Sequence, residues 1–476
     1  MSVNQATYSP LTPALVEELR AIVGPENILF GDPERLIDYG HDEVAGAEHA
    51  HPPEAVVKPA AAAEIGAILR LANRERVPVT PRGAGSGLSG GAVPVRGGIV
   101  LSLERMNRIR EIDRENMVAT VEPGVVTNAI NEAAAGFGLF YAGYPMSLET
   151  CSIGGNVAEN AGGGRAIKYG VTGRYVLGLE AVLPSGDIVS LGGKRVKDVT
   201  GYDLLHLLVG SEGTLCVFTR ILLRLLPLPR ARAVLLAPFA DVPAAIAAVP
   251  RVMTGGGVLP TSVEFMDRLS VETAYRFLGE EPPLPGIGAL LLLELDGAAP
   301  EPVEAEAARV MDLLLEAGAL DVYGGTDPAA ERRMWLPRMK LAEAFKAISP
   351  VQSLEDIVVP LAAIPELVPE LERLAERHGV LIPCYGHAGD GNLHATLVKK
   401  PEMDLADWNS RLPQLLTELY RLVAGLGGTI SGEHGIGSKR AAYLPLVQDP
   451  VLIELQRGLK RLFDPNNILN PGKIFP

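Results

Sequence analysis

Four residues in the C-terminal third, His387, His394, Glu433 and His434, have the types and spacing of a metal site with a base beside it. The first two lie in VLIPCYGHAGDGNLHATLV (380–398), where two β-like runs flank Asp390-Gly391, a strong signal for a two-residue hairpin turn. Pairing outward from that turn sets residue 389 opposite 392, 388 opposite 393, and His387 opposite His394. Directly opposed residues share a sheet face with Cβ atoms about 5 Å apart, close enough for two imidazoles to grip one cation. GTISGEHGIGSKR (428–440) adds Glu433 and His434, a third ligand and a base. Any one such histidine, taken alone, is more readily a hydrogen-bonded structural residue. With only eight histidines in the chain, two in one hairpin and one beside a glutamate favour the metal.

A second chemistry is suggested by glycine. TPRGAGSGLSGG (80–91) contains Gly85, Gly87 and Gly90 at the spacing of a dinucleotide-binding loop. That reading needs a helix directly after the loop, its N-terminus facing a pyrophosphate. Here GAVPVRGGIVLSL follows, and Pro94 with Gly97-Gly98 makes a long helix improbable on physical grounds. The nicotinamide-type reading therefore fails. The glycines still permit positive φ and close backbone approach, so that successive N–H groups can point at one anion. Two further small-residue clusters, at 143–173 and around Gly210-Ser-Glu-Gly213, offer backbone along which a flat ligand could run.

The elements that must position these residues follow from periodicity. LTPALVEELRAIVG (11–24) predicts a helix with Thr12 as cap, Pro13 at its first turn and Gly24 as its stop. A strand at 55–58, a helix near 60–75 and a strand at 77–80 precede the first glycine loop, and strands are expected around 179–189 and 213–229. Residues 1–228 read as one α+β domain, completed by 430–476, and Pro227 and Pro229 mark a linker. Residues 229–429 alternate strands and helices and form a second α+β domain carrying the histidine hairpin; GALLLLEL (288–295) reads as its buried strand.

Composition limits the function classes. A chain of 476 residues requires more than one core. A net charge of −14 argues against nucleic acid as a partner. Cys151, Cys216 and Cys384 are scattered without any C-x-x-C, which excludes a disulfide framework, a thiolate zinc site and an iron–sulfur cluster built by this chain alone. MSVNQATYSP has no leader pattern and no apolar run approaches the ~20 residues of a bilayer span, so a cytoplasmic location is expected.

PRGAGSGLSGG, CSIGGNVAENAGGGRAIKYGVTGRYVLGLEAVLPSGD and KDVTGYDLLHLLVGSEGTL together resemble the FAD-binding domain of the vanillyl-alcohol-oxidase-type (PCMH-type) flavoproteins. The narrower resemblance is to the branch containing the flavin subunit of glycolate oxidase, flavin D-lactate dehydrogenase and D-2-hydroxyglutarate dehydrogenase, and RLFDPNNILNPGKI (461–474) fits the same branch. It covers residues 40–476 and implies a two-domain α+β flavoprotein with a cap domain for substrate. By this likeness Arg82, Gly83, Ala84, Gly85, Ser86, Gly87, Leu88, Ser89 and Gly90 cradle the FAD pyrophosphate. Pro145, Gly154, Gly155, Asn160, Gly163, Gly164, Ala166 and Gly170 line the rest of the cofactor, with Glu212, Gly213 and Asn470. The first loop lacks the histidine that tethers flavin in some relatives, which implies noncovalent FAD.

The resemblance further implies that His387, His394 and Glu433 hold a divalent ion, Zn²⁺ or Mn²⁺, with His434 as catalytic base. ERRMWLPRMKLAEAF offers Arg332, Arg333 and Arg338 for a substrate carboxylate; aligning its MW with the branch's LW selects Arg338, against the alternative of a solvated helix face. The implied reaction is oxidation of a D-2-hydroxy acid to the 2-oxo acid. Hydroxyglutarate enzymes carry a threonine, a lysine and an asparagine where this chain has Ala342, the QSLEDIVVP stretch and Thr396, so glycolate or D-lactate is the expected substrate. Electrons must leave to an external acceptor, a quinone, a cytochrome or an iron–sulfur partner subunit, and a homodimer is a further expectation. The rival readings are an alkyl-dihydroxyacetone-phosphate-synthase-like transferase, a metal-dependent hydrolase with structural glycine loops, and a flavin subunit dependent on a catalytic partner.

Overall fold

The computed structural model describes residues 8–46, 49–325 and 327–475. Residues 1–7 of MSVNQATYSP, the stretch without a leader pattern, lie outside them. The chain divides into two compact units: residues 1–162, 171–227 and 433–476, and residues 163–170 with 228–432. Helices and sheets are mixed in both, as the fold class requires.

In the first unit, the helix Pro13–Val23 begins where Thr12 Oγ1 accepts from the Leu15 amide and ends at Gly24, whose φ of +87° only glycine adopts cheaply. Its buried Leu15, Val16 and Leu19 join Ile65, Ile68 and Leu69 of the helix Ala62–Glu75 in one apolar core. That second helix is the crossover of a β–α–β unit. The sheet beneath has spatial order Ile28–Phe30, Ala55–Val57, Ile99–Ser102, Val79–Arg82, the last three parallel. The first glycine loop leaves the strand Val79–Arg82, and the next regular element is the strand Ile99–Ser102, not a helix. A second, antiparallel sheet runs Ile109–Asp113, Val118–Val121, Val217–Arg224, Val176–Val182, Ile188–Gly192. The C-terminal segment returns to the first sheet, where Val79 N donates to Ile468 O and Asn470 N to Val79 O.

The second unit is one seven-stranded antiparallel sheet with helices packed on it. Its order is Tyr323–Gly325, Ala231–Phe239, Ala289–Gly297, Ser262–Asp267, Cys384–His387, Asn392–Val398, Gln352–Val358. Ala289–Gly297 is the continuous buried strand expected of LLLLEL, lying between two neighbours. Strand alternation puts Met266, Leu290, Leu292, Tyr385 and Val398 on one face, where they pack with Val271, Tyr275, Leu341 and Phe345 of two helices.

Asp267 closes this sheet–helix corner: its carboxylate accepts the Ser270 amide at 2.8 Å, capping the helix Arg268–Leu278, and the Cys384 amide at 2.8 Å. Burial outweighs those bonds and pushes its carboxyl from 3.8 up to about 6. A raised carboxyl stabilises the fold fully below the unfolded value and loses that contribution as pH rises through the folded one. Wild type is therefore expected to lose stability relative to Asp267→Asn between pH 4 and 6, by about 3 kcal/mol at ~1.4 kcal/mol per unit. Urea unfolding of both proteins across that range reads the difference, and parallel pH profiles would refute it.

Candidate active site

The first glycine loop has the form of an anion cradle. Gly85 and Gly90 take φ of +73° and +77°. The Ala84 amide donates to Ser152 Oγ at 3.2 Å and the Gly90 amide to Asp42 Oδ2 at 2.8 Å. Among the described residues, the intervening amides of Gly85, Ser86, Gly87, Leu88 and Ser89 donate to no protein acceptor. Five consecutive amides left for a ligand fit the pyrophosphate of a dinucleotide. Arg82 is turned to the protein instead, its Nη1 bonded to His41 O at 2.7 Å.

The other expected cofactor residues divide by neighbourhood. Gly154 and Gly155 lie in the helix Ile153–Glu159. A Cβ at Gly154 would meet Pro123, at 2.6 Å, whereas one at Gly155 would meet only Ser152 Oγ, at 3.5 Å, leaving that side open. Asn160 ends the helix at φ +52° and accepts the Gly173 amide on Oδ1, a structural task. Pro145 is half-buried in the loop before this helix. Gly163, Gly164, Ala166 and Gly170 belong to the second unit. The Glu212 side chain is committed to the amides of Ile436 and Gly437, while Asn470 Nδ2 bonds Gly91 O and Glu212 O beside the turn at Gly213.

The histidine hairpin forms, with a corrected register. His387 pairs with Asn392 and Tyr385 with His394, so the connection is Ala388–Gly391 rather than two residues. The physical reason is local: Asp390 and Gly391 amides both turn back to His387 O, and only Gly391 has positive φ, whereas the expected turn needs it at two positions. A shift of two keeps the alternation, so His387 and His394 still share a face, as diagonal neighbours with ring centroids 5.6 Å apart. Both are buried.

That face carries more than the two histidines. Glu264 stands opposite His387 and Asp356 opposite His394. Glu264 Oε1 lies 2.6 Å from His387 Nδ1, and its Oε2 accepts from Arg338 Nε at 2.7 Å. Burial alone would raise this carboxyl; the charges and hydrogen bonds of His387 and Arg338 outweigh it and hold it at about 2. A carboxylate on Nδ1 fixes the tautomer that offers Nε2 to a metal. Gly164 fits against this pair because it has no side chain: a Cβ there would sit 2.5 Å from Glu264 Oε1.

Asp356 and His394 offer ligand atoms within 4.8 Å of each other. Asp356 Oδ1 accepts from Asn392 Nδ2 at 2.6 Å, and Oδ2 from Ser431 Oγ and the Gly432 amide at 2.8 and 2.9 Å. Asp356 thereby fixes the chain immediately before Glu433 and His434, whose side chains lie 3.5 Å apart. Arg338 is buried near the C-terminal end of the helix Pro328–Met339, its guanidinium 5.1 Å from the Tyr385 ring, while Arg332 and Arg333 are exposed. The solvated-face alternative for Arg338 is thus excluded. Sequence reasoning missed Glu264 and Asp356; the available signal was a pair of acids set among the apolar residues of each of two strands, SVEFMD and SLEDIV.

Residues 228–474 match the family described as FAD linked oxidases, C-terminal domain, and residues 53–192 match the FAD binding domain. The chain is 39% identical to glycolate oxidase subunit GlcD of Bacillus subtilis, covering 98% of this chain and 97% of that one. It is 38% identical to D-lactate dehydrogenase of Anaerostipes hadrus (99% of both chains) and 31% identical to D-2-hydroxyglutarate dehydrogenase of Stutzerimonas stutzeri (97% and 99%). Among solved structures, p-cresol methylhydroxylase superposes with a TM-score of 0.78 at 20% identity over 96% of each chain, and alkyldihydroxyacetonephosphate synthase with 0.74 at 20% identity over 98% of this chain and 86% of that one. These likenesses at 20% concern the fold alone, which a methylhydroxylase and a synthase share. Among the described residues no helix is long and apolar enough to cross a membrane. Matched along its whole length by relatives of one kind, the chain belongs to the FAD-linked oxidase family and is an FAD-dependent oxidoreductase.

Proposed function

We propose that this oxidoreductase converts a small D-2-hydroxy acid, glycolate or D-lactate, to the 2-oxo acid. The observation that supports it most is the single sheet face on which Glu264 links Arg338 to His387, with His394 and Asp356 alongside. Such a face suits a substrate with a carboxylate beside a hydroxyl. Two imidazoles and a carboxylate are the donor set of an open zinc- or manganese-type site; His387, His394 and Glu433 would hold the ion, with His387 giving up its Nε2 proton on binding it. When bound, that cation supplies Lewis acidity toward the hydroxyl, and noncovalent FAD supplies the acceptor for the α-hydrogen with both C–H electrons.

The protein's own residues do the rest. Arg338, fixed through Nε by Glu264, keeps its terminal amino groups for the substrate carboxylate. Glu264 holds His387 in its ligand tautomer. His434 takes the hydroxyl proton as the C–H bond breaks, leaving the 2-oxo acid. The two electrons would leave to an external acceptor, an iron–sulfur partner subunit among the candidates. Thr396 lies 3.2 Å from Tyr385 OH and Ala342 is exposed, so neither marks a second carboxylate site. That favours a monocarboxylate over hydroxyglutarate.

Anaerobic titration of the yellow protein tests this. Bleaching by glycolate or D-lactate, abolished by a chelator, is expected; bleaching by D-2-hydroxyglutarate alone would transfer the assignment to that acid. A flavin that no hydroxy acid reduces would favour the transferase reading.

The cofactor placement has its own check. Gly155 lies within a helix, where alanine is favoured by up to ~1 kcal/mol, and its Cβ has room. Gly155→Ala is expected to raise the thermal midpoint of the apoprotein and weaken FAD binding at least tenfold, read by fluorescence titration. Unchanged FAD affinity would remove Gly155 from the cofactor wall.

A further inference from the structure

The residues after His434 form a turn that the first unit grips from several sides. Gly435 and Gly437 take φ of +82° and +54°. A side chain at Gly435 would strike Glu159 Oε2, and one at Gly437 would strike Ser89 O. The amides of Ser438 and Lys439 both donate to Ser89 O at 3.0 Å, and Arg440 Nη1 bonds Leu88 O and Gly435 O at 3.2 Å. A carboxylate reaches the turn between His434 and these anchors. Glu212 accepts the Ile436 amide at 2.9 Å on Oε1 and the Gly437 amide at 2.6 Å on Oε2. Its own backbone is held at φ +51°, an uncommon conformation for glutamate that aims the carboxylate at the turn.

We infer that Glu212 is a positioning residue for His434, fixing the turn that follows the base through two amide hydrogen bonds. The inference rests on the reading of His434 as the base. A carboxylate taking two adjacent amides sets both the place and the orientation of the peptide plane two residues on, and a misplacement of about 1 Å at a reacting group costs on the order of 10²-fold. Glu159, packed on the other side against Gly435, supports this arrangement. Burial, then the charges of Glu212 and Asp42, push its carboxyl well upward. Burial raises the Glu212 carboxyl as well, opposed first by the amide hydrogen bonds of Ile436 and Gly437.

The test is a double-mutant cycle on the FAD-loaded protein, using Glu212→Gln, His434→Asn and both together, with flavin reduction followed in a single turnover. Glu212→Gln turns an amide donor toward one of the two N–H groups. It is expected to slow reduction about tenfold to a hundredfold with FAD content and substrate KM unchanged. Added to His434→Asn it is expected to slow reduction less than about twofold further, because a group acting through the base has nothing left to position. Hydrogen exchange at the Ile436 and Gly437 amides, in the protein without cofactor, is expected to quicken in Glu212→Gln.

A multiplicative loss in the double variant would overturn the positioning role while leaving the base assigned. A His434→Asn protein as fast as wild type would overturn both. If Glu212→Gln does not fold, Glu212→Asp, which keeps the charge but shortens the reach, enters the same cycle and is read the same way.

Discussion

His434→Asn is expected to bind FAD as wild type does, to show the same visible spectrum, and to reduce that flavin with substrate 10²- to 10⁴-fold more slowly. Asparagine keeps a polar side chain of similar reach in the turn but cannot take a proton at working pH. The loss should therefore fall on the chemical step. The turn has anchors other than the imidazole: Glu212, Ser89 and Arg440 act on residues 435–440. Stopped-flow reduction under anaerobic conditions separates the outcomes. A retained spectrum with crippled reduction supports the base; reduction within a few-fold of wild type removes it, and Asp356, opposite His394, becomes the next group to test.

Glu264→Gln is expected to have the second largest effect, and to show it in two independent readouts. The carboxylate is buried between His387 and Arg338, both of which need its charge. Gln is isosteric but neutral, so Arg338 is left buried without a counter-charge, a change that typically destabilises by about 3–5 kcal/mol. The amide also presents either an oxygen or an NH₂ to His387 Nδ1, and the second choice leaves Nε2 carrying the proton and unable to bind a metal. Loss of an orienting partner of this kind typically weakens metal affinity 10- to 100-fold. Zinc or manganese titration of the stripped protein measures the second effect and urea unfolding the first. Unchanged metal affinity in a folded Glu264→Gln protein would detach His387 from the metal site.

Much of this architecture was legible in the chain. The helix at 13–23 follows from Thr12, Pro13 and Gly24, each of which acts through its own backbone geometry, and the buried strand at 289–297 follows from its unbroken apolar run. The absence of a helix after the first glycine loop followed from Pro94 and Gly97-Gly98. The histidine pair was legible to its face but not to its register. Period-2 alternation survives a slip of two, whereas the turn type depends on whether Asp390 adopts positive φ, and it does not. Glu264 and Asp356 were hidden because their roles arise across strands distant in sequence: Glu264 meets His387 over 123 residues of chain. Arg338 stood among three arginines on one helix, and only burial distinguished it.

Residues Gly163–Gly170 sit within the span matched by the FAD binding domain, yet they fold with the second unit. Arg165 pairs with Glu294, and Lys168 and Tyr169 both bond Asp296, two carboxylates buried at one end of the strand Ala289–Gly297. Recombination between relatives would therefore not respect a two-cut boundary. A chimaera that exchanged only residues 228–432 would import those acids and leave their cations behind unless the donor and recipient agreed in this octapeptide. The transferable module is the larger piece plus an eight-residue island from elsewhere in the gene, and a substrate-specificity graft that omits the island should yield insoluble protein where one that carries it folds.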